Sequence, residues 1–347
     1  MDEKTPQATM RQSNFELLRI VAMFMVLLLH ANFASLGYPS RSQLIADPQW
    51  TMLRIICESF CIVAVNLFVL ISGWFGINPS RRGLAQYLFQ IFFLSFAIYF
   101  SVVLAGREQF SFLGLKRCLY LASPLWFVLA YLALYVLSPV LNAFVAVASR
   151  RQFRMVLAAF YIFQTAYGWI ASARFVAAGY SCFSFIGLYL LARYFRIYDV
   201  RLTVRRGWGI YILSVSAVSA LVLLRCFHDF ALDPIAYSNP FVVTGAVGLF
   251  FVFASWRLRP NRFINWLAAS SFSVYIVHCN YYIFQPYFET SVRRINQNFP
   301  GLCGVLLILA LCLLTYLLVT LLDQIRCTVR HLIFSRLFRK KYFAVKS

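Results

Sequence analysis

The chain has 347 residues and a formal net charge of +21, with 62% hydrophobic and only 12% charged residues. Soluble domains carry about one-quarter charged residues, so this composition excludes a water-facing globule. The Lys and Arg residues stand in short clusters between long charge-free runs. That pattern is typical of membrane loops and unlike the basic face of a nucleic-acid-binding protein. The composition therefore predicts an integral membrane protein that contacts membrane lipids and has no nucleic-acid partner.

Charge-free apolar segments follow one another along the chain. Ten windows of 18 or more residues contain no Asp, Glu, Lys or Arg: 20–40, 59–80, 83–105, 118–149, 155–173, 175–192, 207–224, 234–256, 263–288 and 295–322. Each window is long enough to cross a bilayer as a helix. None shows the alternation of apolar and polar residues that marks a membrane β-barrel strand. The sequence therefore predicts an all-α, polytopic helical bundle with about ten transmembrane helices.

The basic residues predict the orientation of this bundle. Alternate loops, counted together with both termini, hold most of the Lys and Arg residues, and the other loops hold most of the acids. Both termini are therefore predicted to be cytoplasmic. We expect a cytoplasmic N-terminal segment (1–13), a transmembrane domain (14–323) and a basic tail (324–347) that rests on anionic headgroups. The first span contains Arg19 and His30 and is longer than a signal-peptide core, so we expect it to be retained.

The nine cysteines are an odd number, include no C-x-x-C pair and lie mostly inside apolar stretches. This pattern argues against a disulfide framework and against a zinc site. We therefore expect no metal.

The first predicted span carries three ionisable residues on one face. Arg19 and His30 are eleven residues apart, which on a helix leaves about 20° of rotation and about 16 Å of rise. Glu16 lies three residues before Arg19, on the same face. In one interpretation Arg19 reaches the headgroups, Glu16 pairs with it and His30 bonds a neighbouring helix. In the other, His30 marks a reactive centre, because ionisable groups within the bilayer are costly.

A second histidine, His278, lies about as deep in the ninth window as His30 lies in the first. The two could meet inside the bundle, although a polar packing role for His278 is the simpler interpretation. The sequence contains no H-E-x-x-H, no G-x-S-x-G and no P-loop, so three common hydrolytic mechanisms lack their residues. Imidazole and guanidinium groups suit acyl transfer from an already activated thioester.

At these residues the chain resembles the acyltransferase 3 family of membrane-bound O-acyltransferases. Arg19, ten intervening residues and His30 fit the family's hallmark. Three further strings are similar to the family: VNLFVLISGWF (65–75), SPLWFVLAYLALYVLSPVLN (123–142) and SFSVYIVH (271–278).

The resemblance covers about residues 14–323 and implies a site. His30 would be the catalytic base, and Arg19 would hold or orient acetyl-CoA as the acyl donor. Glu16, on the same helix face, completes the candidate catalytic residues. The basic loop residues Arg81 and Arg82 could bind the CoA phosphates, but the orientation of the bundle explains them equally well.

The acceptor implied by the resemblance is a cell-surface polysaccharide or a lipid-linked sugar, reached across the bacterial cytoplasmic membrane. His278, Tyr281 and Tyr282 are the candidate residues on the acceptor side, although the two tyrosines also suit interfacial anchoring. Some relatives add an extracytoplasmic hydrolase-like domain. We expect this chain to act without one, alone or with a partner protein.

A transporter or flippase for a lipid-linked saccharide is the alternative function. Such proteins usually contain internally repeated halves with matching helix breaks, which the sequence does not show. A channel would require rings of charge or a filter-like glycine string, and a scaffold would leave the buried His30 unexplained.

Overall fold

The computed structural model describes residues 12–228 and 230–339. Most of the predicted N-terminal segment (1–11) and the end of the predicted tail (340–347) lie outside the described residues. All regular secondary structure in the described part is helical, as the sequence predicts. The α-helices are α1 (Ser13–Leu29), α2 (Arg41–Ala46), α3 (Pro48–Cys61), α4 (Ala64–Phe75), α5 (Arg81–Leu104), α6 (Phe112–Cys118), α7 (Trp126–Val147), α8 (Arg150–Phe163), α9 (Cys182–Ile197), α10 (Val204–Phe227), α11 (Pro240–Ala254), α12 (Arg262–Ala269), α13 (Ser271–His278), α14 (Thr290–Asn298) and α15 (Leu302–Arg339).

Six helical segments are long and apolar enough to cross a membrane. They are Ser13–Ala34, Pro48–Phe75, Arg81–Leu104, Trp126–Val147, Val204–Phe227 and Leu302–Ser335. The other four windows lie in helices that are shorter or interrupted. The structure therefore defines an all-helical, multi-pass membrane protein. The count of about ten spans and the cytoplasmic position of both termini remain predictions.

Glycines allow two pairs of helices to pack closely. A Cβ atom added to Gly73 of α4 would lie 2.6 Å from the carbonyl oxygen of Tyr189 in α9, and one added to Gly207 of α10 would lie 2.9 Å from the carbonyl oxygen of Gly248 in α11. Small residues bring helix backbones together in membranes, where lipid supplies no hydrophobic drive for helix association. The first of these contacts brings α4, which flanks α1, close to α9. The second brings α10 close to α11.

The two ends of the bundle are called lower and upper here. The lower end is where α1 begins at Ser13, whose hydroxyl donates to Asn265 Oδ1 at 3.1 Å. The upper end is where the π-helical turn His30–Ala34 follows α1.

A buried carboxylate of α15, Asp323, links α15 to α13 near the lower end. Arg326 Nε lies 2.6 Å from Asp323 Oδ1, and both side chains are almost fully buried. The same carboxylate accepts hydrogen bonds from the hydroxyls of Ser270 and Ser273 at 2.8 and 2.6 Å. Because burying a charge is costly unless it is paired and hydrogen-bonded, this network fixes the position of α13.

Candidate active site

A π-helical turn carries the first candidate residue. The α-helical hydrogen bonding of α1 ends at Leu29, and the chain continues as the π-helical turn His30–Ala34. The hydroxyl of Ser35 donates to the carbonyl oxygen of His30 at 2.6 Å, which stabilises this turn. Such turns are frequent at functional sites because they change the direction of a side chain within a helix.

The second candidate, His278, is the last residue of α13 and is fully buried. Its Nδ1 lies 2.6 Å from the carbonyl oxygen of Val274. A carbonyl oxygen only accepts hydrogen bonds, so Nδ1 of His278 carries the hydrogen. In the neutral ring Nε2 is then the acceptor.

The structure brings the two histidines together. His30 Nδ1 lies 2.7 Å from His278 Nε2, with the ring centroids 5.0 Å apart. One hydrogen must lie between these nitrogens, and since His278 Nε2 accepts, His30 Nδ1 donates. The neutral His30 ring therefore keeps its lone pair on Nε2, which is the form required of a general base.

A cavity of about 360 Å³, the main cavity, is lined by His30 but not by His278. It follows α1 from Met23, one turn above Arg19, past His30 to Phe33, and it extends to Tyr38. Most of its lining is apolar, and the polar groups include Glu58. A cavity of this size and character matches the small-molecule sites of proteins.

Arg19 and Glu16 form an ion pair below this cavity. Arg19 Nη1 lies 2.6 Å from Glu16 Oε1, and the side chains are 33% and 7% exposed. Neither residue lines the cavity, which begins at Met23. Glu16, Arg19 and His30 thus share one helix, as predicted, but the ion pair of Glu16 and Arg19 lies below the cavity that His30 lines.

The remaining predicted residues lie elsewhere. Arg81 and Arg82 are exposed in the first turn of α5, at the lower end. The rings of Tyr281 and Tyr282 lie 3.9 and 5.9 Å from the guanidinium of Arg117. These two tyrosines line a second cavity, of about 230 Å³, rather than the one that His30 borders.

Cys279 also contacts the histidine pair. Its sulfur lies 3.3 Å from His278 Nε2 and 3.5 Å from His30 Nδ1, and the three atoms could hold a metal ion. Two nitrogen ligands on tetrahedral zinc stand about 3.3 Å apart, whereas the histidine nitrogens are 2.7 Å apart. This spacing suits a shared proton better than a shared metal.

Glu58 lines the cavity, although the spacing of Arg19 and His30 does not predict it. Its Oε2 accepts from Asn32 Nδ2 at 2.8 Å and from the Phe33 backbone N–H at 3.4 Å. Arg54 donates to Asn32 Oδ1 at 3.0 Å. The sequence does contain an indication of this residue's importance, because Arg54 and Glu58 are opposite charges four residues apart in an otherwise apolar stretch.

The fold and the site define a multi-pass membrane protein with a buried histidine pair beside a ligand-sized cavity. The chain belongs to the acyltransferase 3 family, because the family's model, described as an acyltransferase domain, matches residues 12–322. No significant match was found among curated proteins or among solved structures. The resemblance seen in the sequence is thus confirmed, and the chain is a membrane acyltransferase.

Proposed function

We propose that the protein is an O-acyltransferase that moves an acetyl group from cytoplasmic acetyl-CoA to a hydroxyl of a cell-surface polysaccharide or a lipid-linked sugar. We place it in the bacterial cytoplasmic membrane with both termini, and hence the lower end, on the cytoplasmic side. The observation that carries the proposal is the hydrogen bond between His30 and His278 at the wall of the main cavity.

The histidine pair explains how a hydroxyl could be activated. His30 Nε2 takes the proton of the acceptor hydroxyl while the oxygen attacks the thioester carbonyl. The tetrahedral intermediate then expels the CoA thiolate, which takes that proton from His30. His278 keeps His30 in the competent tautomer and stabilises the imidazolium by accepting its Nδ1–H. The products are the ester and CoA, and no other reactant is needed.

The donor enters from the lower end in this scheme. Arg19 lies one helical turn below the cavity and orients the CoA, with Glu16 fixing the guanidinium. A pantetheine arm that passes Arg19 reaches the cavity wall at Met23 and brings its thioester to His30. Arg81 and Arg82, exposed at the same end, bind the CoA phosphates.

The experiment is a measurement of the O-acetyl content of the host's surface polysaccharide. A deletion strain is complemented with the wild type or with His30→Ala at equal protein level. The proposal predicts that the deletion loses the ester and that only the wild type restores it. Unchanged ester with altered export of the polysaccharide would instead support a transporter or flippase.

A further inference from the structure

The upper part of the main cavity contains polar groups without partners. Glu58 is 3% exposed, and the hydrogen bonds that it accepts end on Oε2. Its other oxygen, Oε1, has no hydrogen-bond partner in residues 12–228 and 230–339. Tyr38 also lines the cavity, and its hydroxyl is buried without a partner in the same part of the chain. Buried polar groups are normally hydrogen-bonded, so the Tyr38 hydroxyl indicates a ligand, and Glu58 Oε1 lies on the same cavity to bind it.

The position of Glu58 ties this group to the reaction centre. Its Oε2 accepts from Asn32 and from the backbone of Phe33, both on the π-helical turn that begins at His30. Tyr38 packs on Phe33 with ring centroids 5.0 Å apart. A ligand atom bound by Glu58 therefore lies on the upper side of His30, opposite the end at which the donor enters.

Three aromatic rings line the cavity beside Glu58. Trp126 stacks on Tyr237 with centroids 5.6 Å apart and contacts Tyr180 at 4.5 Å. Glu58, Tyr180 and Tyr237 line the same cavity. Aromatic faces beside hydrogen-bonding groups offer a flat apolar surface and a polar edge to the same ligand, as the two faces of a pyranose ring require.

We infer that this region is the acceptor subsite and that it is selective for a neutral pyranose. Glu58 Oε1 accepts a hydrogen bond from a sugar hydroxyl next to the one that His30 activates, and Tyr38 binds a further hydroxyl. Among the described residues that line the cavity there is no Lys or Arg, so an anionic acceptor would leave water for a mostly apolar wall that offers it no counter-charge. The inference rests on the proposed O-acyltransferase function.

The test compares two acceptors that differ only at C6, which is a neutral hydroxymethyl group in one and a carboxylate in the other. Purified protein in proteoliposomes is supplied with acetyl-CoA and with either hexyl β-D-glucopyranoside or hexyl β-D-glucopyranosiduronic acid. We expect the wild type to acetylate the glucoside with a kcat/KM at least about 10-fold higher than that for the uronic acid. Sites that hydrogen-bond a substrate hydroxyl discriminate more strongly than apolar pockets.

Variants test the assignment of the residues. Glu58→Gln should lower kcat/KM for the glucoside about 10- to 100-fold, mainly through KM, and leave KM for acetyl-CoA unchanged. Tyr38→Phe preserves every hydrogen bond of Glu58 and should lower kcat/KM for the glucoside about 5- to 10-fold. Glu289→Gln is the matched control, because Glu289 pairs with Arg293 and does not line the cavity.

The outcomes separate this inference from the proposed function. Equal use of the two glycosides, transfer to host polysaccharide without transfer to the glucoside, or wild-type kinetics in both Glu58→Gln and Tyr38→Phe would overturn the subsite while keeping the acyltransferase. Failure of the wild type to acetylate either glycoside or the extracted polysaccharide would contradict the O-acyltransferase itself, and with it the subsite.

Discussion

His30 Nδ1 lies 2.7 Å from His278 Nε2, although the two residues are 248 positions apart in the chain. The carbonyl oxygen of Val274 determines the tautomer of His278, and His278 in turn determines that of His30. The orientation of the proposed base therefore depends on a helix other than its own.

The first prediction concerns His278. Its replacement by Ala removes the acceptor of the His30 Nδ1–H and frees the ring to adopt the tautomer that carries its hydrogen on Nε2. We expect kcat for acetyl transfer to fall about 10- to 100-fold with little change in KM for acetyl-CoA, because the loss affects proton transfer rather than donor binding. Steady-state kinetics of the purified protein measure this. His331→Ala, at an exposed position of α15, is the control. An unaltered kcat in His278→Ala would contradict the role of His278 in orienting His30.

The second prediction concerns Arg19. Arg19→Lys keeps the charge but loses the planar guanidinium that can contact Glu16 and a ligand phosphate or carbonyl together. We expect KM for acetyl-CoA to rise about 10-fold in an assay of CoA release. Arg293→Lys makes the same change in an ion pair at the upper end and should leave KM unchanged. Equal KM values for the two variants would remove Arg19 from the donor site.

The third prediction concerns the ion pair of Asp323 and Arg326. Asp323→Asn leaves Arg326 as a buried charge without its carboxylate and weakens the bonds from Ser270 and Ser273. Breaking a buried pair in this way costs about 3–5 kcal/mol. We expect a clearly lower Tm in detergent, followed by size-exclusion chromatography after heating.

The control for this variant is Asp199→Asn. Asp199 pairs with Arg201 at 2.8 Å, with side chains 70% and 79% exposed, and exposed pairs contribute little to stability. A Tm for Asp323→Asn as high as that of Asp199→Asn would show that the buried pair does not hold α13 in place.

The fourth prediction concerns the close contact of α4 and α9. Gly73→Ala would place a Cβ 2.6 Å from the backbone oxygen of Tyr189, so the helices must separate at a cost of about 1–3 kcal/mol. Gly209→Ala is the matched control, since a Cβ there meets no atom within 4 Å. We expect a lower Tm for the first variant alone. Equal Tm values for both would mean that the contact is easily relaxed.

The sequence predicts the helical class well because charge-free length is the dominant signal for a membrane helix. It is less informative where a window contains small polar residues. The window 263–288 predicts one span, but the structure divides it into α12, α13 and the π-helical turn Phe284–Glu289. A count of charges cannot detect such a break, because an uncharged residue such as Asn280 accepts a hydrogen bond from a free backbone N–H, that of Tyr282, without adding charge.

The candidate site shows the same limit. His30 and Arg19 follow from helical spacing, but the contact between His30 and His278 depends on how α1 and α13 pack, which no local pattern encodes. Glu58 was missed for a different reason. The second charge-free window begins at residue 59, whereas the helical segment in the structure runs from Pro48 to Phe75 and contains Glu58. Asn32 and the backbone of Phe33 donate to this carboxyl group inside the segment.

The most direct test of the central claim is the rate of acetyl transfer from acetyl-CoA to extracted host polysaccharide by purified wild type and His30→Gln. The glutamine amide can still donate to His278 Nε2, but it cannot take a proton from a hydroxyl. General-base catalysis contributes about 10²- to 10⁴-fold, so we expect a loss of that size at an unchanged Tm. A His30→Gln protein that transfers acetyl groups at the wild-type rate would contradict the assignment of His30 as the base.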